Sequence, residues 1–317
     1  MRTPSTILRN LSLRRIQPRV PVAAVAPLPE TTQFNRALTV ELDTLQSQGI
    51  GVSELGLDQL LDAAINTQKI ALDSLVKVSY RDDVDHGAME EYLERNIDIL
   101  DACNYFVERI ENMKKYVDSL RVVARLVDSD AMASARALDQ LKSCHDIEKK
   151  CKAMGKHGLC LMRRMLRQKL SHHHESEFSE IVCGSNAMAL KGCRFLELGL
   201  SFDDSKHGLP MMKQCQHHTM NELAGQAEGS AEKKLKRRRS GSFMMNELHQ
   251  MVIAARELKE QMKGKREKEM IKSSVERLKK NCRELEDGLD FIEGRVKDLY
   301  KSLIDVRMVL LGILSHA

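Results

Sequence analysis

The residue types that most often carry chemistry gather in two stretches of this chain. The first holds Cys144, His145, Cys151, His157, Cys160 and the triplet His172, His173 and His174. Zinc sites use tightly spaced ligands, as in CxxC or HxxxH pairs, so that one turn presents two donors to the same ion. None of these pairs has that spacing. The expectation is therefore exposed histidines beside half-buried thiols, with no metal ligand and no cofactor. His145 with Cys144 or Cys151 is the one pairing that evokes a base and a nucleophile. At helical spacings it makes no case for catalysis, and no catalytic residue is assigned.

The second stretch is KKLKRRRSGS. Lys233, Lys234, Lys236, Arg237, Arg238 and Arg239 place six cations within seven residues. Such a run fits a nuclear import address, an anionic-surface contact or a merely solvated linker, and all three stay open. Ser240 follows Arg237, and Ser242 follows Arg239, at the spacing basophilic kinases favour. Each phosphate would add about −1.5 to −2 charges beside the run and partly cancel it. Gly225, Gly229, Ser230 and Gly241 flank the cations, so residues 225–242 read as a linker. Base reading needs an ordered element in a groove. An address is favoured over nucleic-acid readout, and no specific nucleic acid is expected.

The net charge of +5 hides this uneven distribution. Arg2, Arg9, Arg14, Arg15 and Arg19 lie in an amino-terminal arm with no carboxylate before Glu30, so with this arm and the run at 233–239 set aside the remainder of the chain is acidic on balance. Residues 1–30 read as a disordered basic arm. Its Arg-rich, acid-poor character fits a plastid or mitochondrial transit peptide, or an arm that stays in the cytoplasm. Eight cysteines without a secretory signal suggest reduced thiols rather than a disulfide framework. The apolar run Met308 to Leu314 is far shorter than the ~20 residues of a membrane span.

Whatever these residues do, helices must position them. Five of the six prolines lie at or before Pro29, and aromatic residues make up only 4% of the chain. Ile271, Val275, Leu278, Cys282, Leu285, Leu289, Ile292, Val296, Leu299, Leu303, Val306, Leu310 and Ile313 follow an unbroken 4-3 spacing. A second stripe runs through Ile99, Cys103, Phe106, Ile110, Met113, Val117, Leu120, Ala124 and Val127. Such repeats lay a narrow apolar seam along a helix that must be buried against others. The fold class is therefore all-α, an elongated bundle of long, coiled-coil-like helices.

Along the chain, Phe34 to Leu45 predicts a first helix, and Ser53 an N-cap before a second through Leu75. A long helix follows over about 89–127. Residues 131–152, 159–170 and 187–198 predict three further helices. Residues 243–317 predict a long helical region bent near Gly264. The organisation is a basic arm (1–30), the N-terminal part of the bundle (31–224), a basic linker (225–242) and a C-terminal helical region packing on the bundle (243–317).

Three segments carry a resemblance. These are Phe34 to Leu45 (FNRALTVELDTL), Ser53 to Ala63 (SELGLDQLLDA), and Glu91 to Asn104 (EYLERNIDILDACN) with the following VDSLRVVAR. They are similar to plant proteins of the BYPASS type over about 34–127 and again from about 243 to the end. The resemblance implies a plant regulatory protein without established catalytic residues. Its relatives are linked to restraint of a root-derived mobile growth signal, and more distant ones to vesicle-tethering components. The expectation is a non-enzymatic regulatory or adaptor protein of developmental signalling. It would be cytoplasmic and would meet protein partners through its long helices. A nuclear import receptor or an anionic membrane surface is the alternative partner, through 233–239.

Overall fold

The computed structural model describes residues 32–47, 57–78, 86–129, 134–167, 176–202, 245–264 and 268–316. These form seven helices: α1 (Gln33–Ser47), α2 (Leu57–Val78), α3 (His86–Ser129), α4 (Ser134–Arg167), α5 (Glu177–Gly199), α6 (Asn246–Lys263) and α7 (Lys268–His316). No strand occurs among the described residues. All of them belong to one compact unit that begins at Thr32.

The two heptad stripes find each other. Helices α3 and α7, roughly 66 and 74 Å long at 1.5 Å per residue, run antiparallel. Arg307 donates to the Leu93 carbonyl, Lys114 pairs with Glu293, Arg121 with Glu286 and Lys279 with Asp128. Between these polar flanks the seam is dry: Val275, Leu285, Leu289, Val296, Leu299, Leu303, Val306 and Leu310 are fully buried. Full burial of one such side chain is worth roughly 1.5–3 kcal/mol, so the seam dominates the stability of this pair. Ile271, Val127 and Ile313 are half-buried, as the ends of a stripe should be.

The other helices complete two four-membered sets that share α3 and α7. In one, α2 and α5 pack on the pair and on each other; in the other, α4 lies on α3, α6 on α7, and α4 touches α6. The C-terminal region therefore does not dock on a finished bundle. Its long helix is common to both halves of the core. Helix α1 closes one end, where Phe34 and Leu38 pack among Phe178, Ile181, Tyr92, Leu75 and Leu310.

Local sequence explains the helix limits. Thr32 Oγ1 accepts from Asn35 N at 3.2 Å, and Ser176 Oγ accepts from Ser179 N at 3.1 Å, each satisfying a first-turn amide. Glu177 and Glu180 lie in the first turn of α5, where the helix dipole favours negative charge. Helix α6 ends at Lys263 with Gly264 as its C-cap, so the bend predicted near Gly264 is present. Ser53 lies outside the described residues.

Two sequence expectations need correction. Residues 131–152 and 159–170 were expected as separate helices, but α4 runs unbroken from Ser134 to Arg167. The expected third helix, 187–198, begins ten residues earlier, at Glu177. Gly155 and Gly158 lie within α4, in the stretch 153–158 between the two expected helices.

Candidate functional site

Midway along α3, Arg109 is a large polar side chain only 1% exposed. Phe106, Ile110 and Met113 beside it are fully buried, so a guanidinium there must find its partners inside the core. Glu197 of α5 supplies the main one, with Arg109 Nη1 donating to Glu197 Oε1 at 2.6 Å. Nη1 also donates to the Tyr105 hydroxyl at 2.9 Å, and Nη2 to the Leu200 carbonyl at 2.9 Å. The Tyr105 hydroxyl lies 2.9 Å from the Met154 carbonyl of α4 and 3.2 Å from Glu197 Oε2. One buried network thus ties together α3, α4 and α5.

The electrostatics follow from burial and pairing. Burial pushes the Arg109 guanidinium toward neutrality, and Glu197 with Tyr105 more than reverses this, leaving its pKa above the ordinary value. Burial pushes the Glu197 carboxyl up, and Arg109 pulls it back only in part. The 2.6 Å geometry is that of an ionised pair, in which the guanidinium has not fully offset the desolvation of its partner. Burial also raises the Tyr105 hydroxyl above its usual range, so it stays a neutral donor.

Helix α4 can close over this network only because it carries glycine at two facing positions. A Cβ on Gly158 would overlap Glu197 Oε2 and the Tyr105 hydroxyl and come within 2.7 Å of Tyr105 Cζ; one on Gly155 would sit 3.1 Å from Arg109 Nη2. These are close-approach glycines inside a helix rather than helix breakers. Sequence reasoning missed both the pair and its lid, because Arg109 and Glu197 are 88 positions apart. The signal that could have found it is an arginine three positions after Phe106, within the apolar stripe's own turn.

The network also fixes where the chain leaves and re-enters the bundle. Arg109 holds the Leu200 carbonyl at the C-cap of α5, and Met245 N, just before α6, donates to the Gly199 carbonyl at 2.9 Å. Residues 203–244 therefore depart and return within two residues of the Arg109 contact. Lys233, Lys234, Lys236, Arg237, Arg238, Arg239, Ser240 and Ser242 lie on that stretch, outside the described residues.

The Cys/His stretch is split by the helix. Cys144 and Cys151 are buried, the Cys144 thiol lying 3.2 Å from Ser119 Oγ; His145, His157 and Cys160 are exposed. Burial raises both buried thiols, and His145 faces Glu148 at 3.5 Å, so the structure does not join base to nucleophile. His172, His173 and His174 lie outside the described residues. Among those described, no group of three His, Cys, Asp or Glu could hold a metal ion, and Cys103, Cys144, Cys151, Cys160, Cys183, Cys193 and Cys282 are free thiols. No described helix is long and apolar enough to cross a membrane.

A family model described as Protein BPS1 matches residues 57–313. That span runs from the first residue of α2 into the last turn of α7 and takes in the whole Arg109 network. The chain belongs to this BYPASS-type family. The BYPASS-type match begins after α1 and leaves residues 1–56 outside it. No curated protein matches the chain, and no solved structure does.

Proposed function

We propose that this BYPASS-type chain is a non-enzymatic regulatory or adaptor protein of plant developmental signalling, restraining a root-derived mobile growth signal through helix-mediated protein contacts. The reading is supported by where its polar and apolar groups lie. Arg109, Glu197 and Tyr105 are turned on one another inside the core, whereas Ile97, Met308 and Leu311 are 48%, 61% and 39% exposed. The Arg307 contact to the Leu93 carbonyl puts these three at one level of the α3–α7 pair. An exposed apolar group of this kind suits a partner's helix. The protein acts in the cytoplasm, with residues 233–239 as an address whose strength Ser240 and Ser242 adjust.

The test is affinity purification from plant tissue with mass spectrometry, comparing the wild type with Met308→Asp/Leu311→Asp. Both substitutions are at exposed positions and should leave the thermal melt intact. A partner recovered with the wild type and lost with the variant, together with failure of the variant to rescue plants lacking the protein, is the expected result. Full rescue with an unchanged partner set refutes the proposed face.

A further inference from the structure

The outer face of α4 carries a field of cations that nothing in the core requires. From residue 149 to its end at Arg167 the helix contains no carboxylate. Lys149, Lys150, Lys156, Arg163 and Arg164 are exposed, and Lys152 is half-exposed. Lys149, Lys156 and Arg163 recur every seven residues, so they form one row with steps of about 10 Å. Lys150 and Arg164 lie beside it. Neighbouring groups engage the flanks: Lys152 pairs with Glu148, Arg164 with Asp98, and Lys150 donates to Asn112 Oδ1. Within the row, Lys149 has Asp146 at 3.3 Å across an exposed turn. Lys156 and Arg163 meet no carboxylate among the described residues.

We infer that this face of α4 docks on an anionic lipid bilayer surface. A partner helix would need an apolar seam between the cations. The positions between Lys149, Lys156 and Arg163 are Ala153 and the exposed Cys160, so such a helix would bury almost nothing. A bilayer surface asks only for a plane of cations on one side of a rigid body. It lets the alkyl stems of Lys and Arg lie against the headgroups, with half-buried Leu159 among them. The α4 cations lie on a different helix from Met308 and Leu311, which belong to α7.

Co-sedimentation of the full chain with vesicles tests this, using phosphatidylcholine alone and phosphatidylcholine with about 30 mol% phosphatidylserine, the range of anionic membranes. The wild type should bind the anionic vesicles, lose them at high salt and ignore the neutral ones. Each surface cation is worth about fivefold in partitioning. Lys149→Gln/Lys156→Gln/Arg163→Gln should therefore weaken binding on the order of hundredfold with unchanged circular dichroism. A parallel variant with the six cations of 233–239 changed to Ser should retain most of it. Equal binding by wild type and the α4 variant, or loss confined to the 233–239 variant, overturns the assignment. So does binding to soluble poly-glutamate with no vesicle binding, which would make the ligand an acidic protein.

Discussion

Replacing Gly158 of α4 with alanine should destabilise the protein, although alanine is the better helix former. In a helix interior, Gly→Ala ordinarily gains about 1 kcal/mol. At Gly294 nothing lies within 4 Å of the added methyl, so Gly294→Ala should show that gain undiminished. At Gly158 the methyl would overlap Glu197 Oε2 and the Tyr105 hydroxyl. The carboxylate cannot retreat without leaving Arg109, and parting a buried ion pair costs about 3–5 kcal/mol. Subtracting the propensity gain leaves a net loss of roughly 2–4 kcal/mol, or a fall in Tm of about 5–15 °C for a chain of this size. Gly155→Ala, meeting Arg109 Nη2 at 3.1 Å, should lie between the two. Urea unfolding followed by far-UV circular dichroism ranks the variants. A Gly158→Ala protein as stable as wild type would show that α4 does not close on the buried pair, and the account of the network would fail.

Removing one member of the pair should cost more than removing both. Arg109→Met leaves Glu197 buried and alone, for a loss of about 3–5 kcal/mol, whereas Arg109→Met/Glu197→Met should recover most of it; additive losses in a double-mutant cycle would contradict the pairing. Stability should also fall in acid partly through Glu293. Its carboxyl is held below the ordinary 4.5 by hydrogen bonds from Lys114 and then Lys297. The contribution is thus complete above pH 4.5 and is lost as pH drops through the lower folded value. Both partners are partly exposed, so it amounts to no more than about 1 kcal/mol. Lys114→Gln should flatten the denaturation midpoint between pH 5 and 3, about the carboxylate range, and an unchanged profile would mean the ion pair does not form in solution.

The long helices were legible because their information is local. Thirteen positions from Ile271 to Ile313 repeat with one period, and only a buried seam satisfies that period. The α4 helix was misread because the sequence shows a glycine but not what presses against it; Gly155 and Gly158 look like breaks until Tyr105 and Glu197 are seen beside them. Helix α5 was entered late because residues 177–186 include Gly184, Ser179 and Ser185 in place of a clear stripe. In the structure a Cβ on Gly184 would come within 2.8 Å of the Phe34 ring, and Ser185 gives its carbonyl to Gln68. The Arg109–Glu197 pair joins residues distant in the chain, and no local pattern announces such a bond. The cations of α4 were in plain view but diluted: Asp139, Asp146 and Glu148 precede them, and a total over the helix hides the carboxylate-free half.

The adjoining attachment points of residues 203–244 separate inheritance of the fold from inheritance of the stretch between them. Met245 and Gly199 are joined by a backbone hydrogen bond, so an insertion or deletion between them leaves both ends where they were. Doubling the length of a closed loop costs only about 0.6 kcal/mol in closure entropy, which is small against a typical stability of about 5–15 kcal/mol. Lineages can therefore rewrite the length and charge of this stretch without renegotiating the core. The same geometry gives an engineer a splice site: a fluorescent reporter inserted there has its ends met by residues already side by side.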